Sequence, residues 1–172
     1  DHTMQPGVIP YSVNAPLWSD GAYKARWMAI PHDPDRKEPP IDMTVNRGWN
    51  VPDETVLVKS FALEFTVGDP STKRWIETRF LVYEQNEWTG YSYRWNDEET
   101  EATLVEKEGV DAYFTVNTEM GPRQQSWRYP ARTECMVCHS RAAAFVLGTS
   151  TGQMNRDSAH SFVATPTGDG TT

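Results

Sequence analysis

A two-residue period runs through the middle of the chain and constrains the fold more than anything else in it. Tyr91, Tyr93 and Trp95 alternate with Ser92 and Arg94, and Arg74 to Glu84 (RWIETRFLVYE) has the length and β-branched, aromatic content of a long strand. Strand side chains point alternately to opposite faces, so this spacing predicts extended structure rather than helix. Val56, Val58, Phe61, Leu63, Phe65 and Val67 mark another long strand, with a slip near Lys59 and Ser60 that reads as a bulge. Gln85 to Glu87 reads as a hairpin connector into a strand from Trp88 to Trp95. Tyr23 to Ile30 reads as an earlier strand, and shorter ones are expected at Ala102 to Val105, Ala112 to Val116 and Gln124 to Tyr129. Residues 6 to 22 read as an ordered extended loop with apolar anchors, and residues 31 to 40 as a loop with four prolines. Together these predict a mainly β fold over residues 6–130, an antiparallel sandwich or open barrel.

The pattern changes at Pro130. Thr133 is placed to cap a helix starting at Glu134, Arg141 to Leu147 (RAAAFVL) reads as its continuation, and Gly148 as its stop. Residues 131–160 are therefore expected to form a C-terminal helical segment on the β domain, with 161–172 a flexible tail. The whole, 1–172, is expected to be a single domain. At 172 residues with 38% hydrophobic content, the chain is long enough for one core, and seven Trp and seven Tyr supply much of the area to bury. The net charge of −8 argues against binding nucleic acid or anionic membranes and suits a surface that docks a basic partner. The polar ends read as those of a domain cut from a longer protein.

Within the predicted helical segment, Cys135, Met136, Val137, Cys138 and His139 spell C-x-x-C-H, and these are the only two cysteines in the chain. This order suits covalent haem c. Each thiol adds across a vinyl group to give a thioether, and the histidine that follows supplies the proximal iron ligand. A dithiol redox pair, part of a zinc site or a disulfide are the competing readings. The pair lacks a βαβ context, and the zinc site lacks a second C-x-x-C, with His2, His32 and His160 the only other imidazoles. A disulfide there closes too small a loop to stabilise much.

The sixth iron ligand decides whether such a site transfers electrons or binds small molecules. Of Met4, Met28, Met43, Met120, Met136 and Met154, the last is the leading candidate. It follows His139 by fifteen residues, past Gly148 and Gly152, far enough to wrap a haem edge. The bland alternative is that Met154 fills an apolar gap. His32, His160, another Met or an open face remain alternatives. Trp127 and Tyr129 immediately precede the motif and are candidates to wall the ring, against the ordinary expectation that they are core. Tyr91, Tyr93 and Trp95 are weaker candidates. Arg132, Arg141 and Arg156 flank the motif and are candidates for the haem propionates, against simple solvated charge. Asn96 to Glu101 reads as a capped turn rather than a calcium loop. Asp53–Glu54 and Glu106–Glu108 have no partner that would orient acid–base chemistry.

Five stretches together resemble a known family: Val8 to Ala22 (VIPYSVNAPLWSDGA), Thr55 to Phe61 (TVLVKSF), Ile76 to Arg79 (IETR), Tyr93 to Asn96 (YRWN) and Glu134 to His139 (ECMVCH). The chain resembles, over roughly residues 6 to 157, a bacterial family of haem-c domains prominent in planctomycetes and related environmental bacteria. Those domains occur in large exported proteins, often beside a quinoprotein sugar-dehydrogenase-like β-propeller. The resemblance implies an extracytoplasmic monohaem electron carrier that serves a fused or partner oxidoreductase. The expectation is thus a periplasmic or secreted c-type cytochrome domain that is not itself an enzyme. Cys135, Cys138 and His139 are expected to hold one covalent haem c; the resemblance does not supply the sixth ligand, for which Met154 stays the leading candidate on its spacing from His139. The alternatives are a haem enzyme or gas sensor with an open distal site, and a carbohydrate-binding β-sandwich with Trp18, Trp49 or Trp88 as platforms.

Overall fold

The computed structural model describes residues 4–32, 35, 41–43, 48–141 and 145–157. Six strands form one sheet in chain order: β1 (Val8–Pro10), β2 (Tyr23–Ala29), β3 (Val56–Glu64), β4 (Lys73–Glu84), β5 (Glu87–Trp95) and β6 (Ala102–Leu104). Each is antiparallel to its neighbour. A separate hairpin, β7 (Val110–Thr118) and β8 (Gly121–Tyr129), leads into the helix α1 (Arg132–Cys138), and a single turn, α2 (Thr151–Met154), lies near the end of the described chain. The fold is mainly β and antiparallel, and the described strands close no barrel.

The turn chemistry follows the sequence. Glu84 pairs with Glu87 across a two-residue loop in which Gln85 and Asn86 take φ of 54° and 62°. Two left-handed residues in succession match the twist of the flanking strands. The Asn96 side chain accepts from the Thr100 and Glu101 amides, the capped turn the sequence predicts.

One face of the sheet carries the core, in three bands. At one end Phe61, Leu63 and Ile76 pack against Trp127, Tyr129 and the apolar side of the hairpin. At the other end Met28, Leu57, Leu81 and Trp88 pack under Val146, with Met136, Phe145 and Met154 at the margin. Between them runs a polar band. Arg26 pairs in register with Lys59, Lys59 with Arg79, and Arg79 with Ser92, so all four project from the same face.

Three sequence expectations change here. Val8–Pro10, inside the stretch read as an extended loop, pairs with β2 as the edge strand β1. The slip near Lys59 and Ser60 is not a bulge, because both keep register with Arg79 and Thr78. The register shift lies between Phe61 and Ala62, opposite Ile76, and it lets the consecutive residues Ile76 and Glu77 both be buried. The helix expected over 141–147 also does not form at its described end. Phe145 has φ of 60°, which a right-handed helix cannot contain. Residues 142–144, the tail 161–172, His2 and His160 lie outside the described residues.

Candidate functional site

α1 starts one residue later than Ala131, whose backbone N–H donates to Glu134 Oε2 at 2.7 Å. Ala131 has no side-chain acceptor, so the helix has half of a capping box, and the helix begins before the Glu134 start expected from Thr133. Arg128 holds the same Glu134 carboxylate from β8 at 3.0 Å. Hydrogen bonding to the Ala131 amide, then Arg128, pushes the Glu134 carboxyl below its ordinary range.

The helix lies against β5. A Cβ built on Gly90 would meet Cys135 Cβ at 2.5 Å and Sγ at 3.0 Å, closer than a methyl can approach, so only glycine lets Cys135 rest on the strand. Both cysteines are free, Cys135 half-buried and Cys138 exposed. Burial raises the Cys135 thiol above its ordinary range.

His139 is the C-cap of α1, and its Nδ1 lies 2.6 Å from the Phe145 carbonyl oxygen. A carbonyl only accepts, so Nδ1 carries the hydrogen, and in a neutral imidazole Nε2 is left with a free lone pair. Burial lowers the His139 pKa below the usual imidazole range; the Phe145 bond opposes this, and Lys59 and Arg79 add to it. The left-handed Phe145, whose own N–H donates to Ser140 O at 2.9 Å, turns its carbonyl back on the ring.

Met154 reaches the same neighbourhood. Gly148, at φ of 120°, turns the chain, and α2 brings Met154 against the apolar band that also holds Met136 and Phe145. The other methionines divide clearly: Met28 is inside that band, Met43 is exposed, and Met120 is 99% exposed at the tip of the hairpin. His32 is exposed.

The remaining sequence candidates are placed as follows. Trp127 and Tyr129 are buried in the far apolar band, and Trp127 Nε1 donates to Glu77 at 2.9 Å. Tyr91, Tyr93 and Trp95 line the opposite face of the sheet from Gly90 and Cys135. Arg132 donates to the Tyr91 hydroxyl at 3.0 Å on that opposite face, Arg156 donates to the Val13 carbonyl at 2.8 Å, and Arg141 is exposed. Of the three tryptophans considered as sugar platforms, Trp18 is 76% exposed while Trp88 is in the core and Trp49 is half-buried.

Reasoning from the sequence missed the polar band. Lys59 is half-buried, and its amine is pushed down to about 7 by desolvation first, then by Arg26, Arg79 and Lys24, with Glu77 opposing. Its signal was a lysine inside an apolar strand. An open apolar groove of about 590 Å³ lies on the other face, lined by Val56, Phe80, Val82 and Tyr93 among others. Neither thiol nor His139 lines it, so the chemistry is better sought beside α1 than in this groove. Among the described residues no group of three or more His, Cys, Asp or Glu side chains is placed to hold a metal ion. No helix among them is long and apolar enough to cross a membrane.

Compared with known families, curated proteins and solved structures, the chain finds no match in any of the three.

Proposed function

We propose that this chain is a monohaem c-type cytochrome domain that carries single electrons. One observation carries the reading. On the last turn of α1 two free thiols are followed directly by an imidazole whose Nδ1 is committed to a backbone carbonyl, so its Nε2 is free for iron. The donor set fits the group chemically. Each thiol would add its sulfur to one vinyl carbon and its hydrogen to the other, an addition that needs no oxidant. The raised thiol pKa of Cys135 keeps that sulfur protonated until then.

Bound haem supplies a one-electron couple at its iron. The chain's own residues do the rest. Phe145 fixes the tautomer and orientation of His139. Val146, Met136 and Met154 exclude water, and Lys59 and Arg79 place positive charge beside the imidazole. Met154 is the proposed sixth ligand, supported by its return to the band that holds Met136 and Phe145. In this reading sheet and hairpin act as a small open sandwich, with the haem segment over its polar middle. Covalent haem attachment takes place outside the cytoplasm, so the setting is periplasmic or secreted. The partner is a redox protein or a fused dehydrogenase domain, and the domain itself is not an enzyme.

The test is direct. Made in a host that matures cytochrome c, the protein is expected to keep its haem through acid–acetone extraction, and Cys135→Ser with Cys138→Ser to lose it. The oxidised protein should show the far-red charge-transfer band of Met–iron ligation, and Met154→Ala should abolish it. Haem that extracts completely from the wild type overturns the reading; a band that survives in Met154→Ala overturns the sixth ligand alone.

A further inference from the structure

Arg26 on β2, Lys59 on β3 and Arg79 on β4 lie side by side in register on the sheet face that carries α1. Neighbouring strands are about 4.8 Å apart, so three like charges are held at a spacing where each disfavours the others. Among the described residues the row makes one ion pair, Arg79 to Glu77 at 2.7 Å. Glu77 is already filled. It accepts two bonds from Arg79, one from the Ser92 hydroxyl and one from Trp127 Nε1. The Phe61 ring lies beneath Lys59 and Arg79, at 4.8 and 4.6 Å. Among the described residues that leaves Arg26 and Lys59 with no ion-paired carboxylate, in a chain with eight more acidic than basic side chains. Cations concentrated against that balance, half-buried beneath a cover, point to an anion that belongs there.

We infer that Arg26 and Lys59, with Arg79 beside them, form a carboxylate site that takes the propionates of the haem, an inference that rests on the cytochrome reading above. Cys135 rests on Gly90 of β5, next to Ser92 at the end of the row. Lys59 is two strands from β5 and Arg26 three, about 10 and 14 Å away. Propionates leave a porphyrin from the edge opposite its vinyl groups, so a ring that extended from Cys135 across β4 would bring its carboxylates to Lys59 and Arg26. A guanidinium binds a carboxylate through two parallel hydrogen bonds. The arginines nearest the motif in sequence are engaged or exposed elsewhere, Arg132 with Tyr91 and Arg156 with Val13.

The experiment is the midpoint potential of the haem-loaded protein against pH. The charged and titratable groups facing the row are Lys24 on β2, Glu77 on β4, Tyr11, and Cys135 and His139 of α1. With the propionates paired to cations, the wild-type potential is expected to stay flat over about pH 5 to 8, because carboxylates held by cations titrate below that span. The Arg26→Gln, Lys59→Met double variant is expected to have a lower potential and to gain a pH-dependent slope within that span. Lys59→Arg keeps the wild-type profile. If the double variant does not load haem, Arg26→Gln alone is read the same way. A variant profile as flat as the wild type overturns the inference. So does a Lys59→Met protein that changes spin state, which would put the amine on the iron. Wild-type protein that holds no haem overturns the cytochrome reading itself, whereas retained haem with an unchanged profile overturns the carboxylate site alone.

Discussion

Lys59 sits in β3 between the buried residues Val58 and Ser60, projecting into the polar band with Arg26, Lys24 and Arg79 around it. Desolvation and those three charges all disfavour its ammonium form, which lowers its pKa from 10.5 to about 7. The unfolded chain therefore binds more protons than the folded one between those two values. The stability of the haem-free protein is expected to rise with pH from about 7 to 10.5, and to be insensitive to this group below 7, where both states are protonated. Lys59→Met should remove that rise and stabilise the fold most at and below pH 7; chemical denaturation at several pH values checks it, and an identical pH profile in the variant counts against the assignment. This residue also marks a limit of the sequence. A period-two reading registers a charged residue in an apolar strand only as a fault in the pattern, and so Lys59 reads there as part of a bulge. What makes it meaningful is Arg26 and Arg79 on either side, and strand register is not visible in a one-dimensional pattern.

At the scale of elements, β2 to β8 were legible because each has its own local signal, from the alternation of Tyr91, Tyr93 and Trp95 to the turn at Gln85 and Asn86, whereas the three residues of β1 were hidden in what reads as a loop. The helical segment was less so. The run from Arg141 to Leu147 has helix-forming composition, yet Phe145 is left-handed and its carbonyl is spent on His139. A tertiary hydrogen bond overrides propensity there, and composition does not report it. The seating of α1 on β5 was equally hidden, since Gly90 in a strand reads as a weak point rather than as the place where a helix touches the sheet. Gly90→Ala forces its methyl against Cys135 Cβ, 2.5 Å from the built position. Neither backbone can yield without moving the other, so the expected loss is about 1–3 kcal/mol. Gly152→Ala in α2 meets nothing within 4 Å and serves as the control; it should change stability by less than about 1 kcal/mol. Equal denaturation midpoints for wild type and Gly90→Ala would mean that α1 is not held on the strand at Cys135.

Across the whole molecule, three stretches distant in sequence meet at one end. The Asn14 amide donates to Gln153 O at 2.9 Å and its side chain to Gly152 O at 2.8 Å, while Ala15 N donates to Gln153 Oε1 at 2.9 Å. Arg156 returns a bond to Val13 O, and Trp49 N donates to Thr149 O at 2.6 Å. α2 has only four residues and no side-chain N-cap, too short to hold itself, so these bonds from an early loop and from Trp49 give it its position. The stretch Val8 to Ala22, an extended loop by sequence, is in this sense part of the C-terminal site, and nothing in its composition announces a partner more than a hundred residues away. Met154 depends on the same clasp. Asn14→Ala removes two side-chain bonds of Asn14, to Gly152 and Asn155, at a site open to solvent. The global cost should therefore be small, about 0.5–1.5 kcal/mol. The local effect should be larger in proportion: faster amide exchange at Gln153, Met154 and Asn155, with β3 unchanged, because opening α2 does not require the sheet to open. On the proposed cytochrome reading, the same variant loaded with haem should show a weaker Met–iron band without releasing the haem, since thioethers to Cys135 and Cys138 would not depend on the clasp. Exchange that rises equally in α2 and β3 would instead make Asn14 a determinant of the whole fold, and the position of Met154 would then follow from the core rather than from the loop.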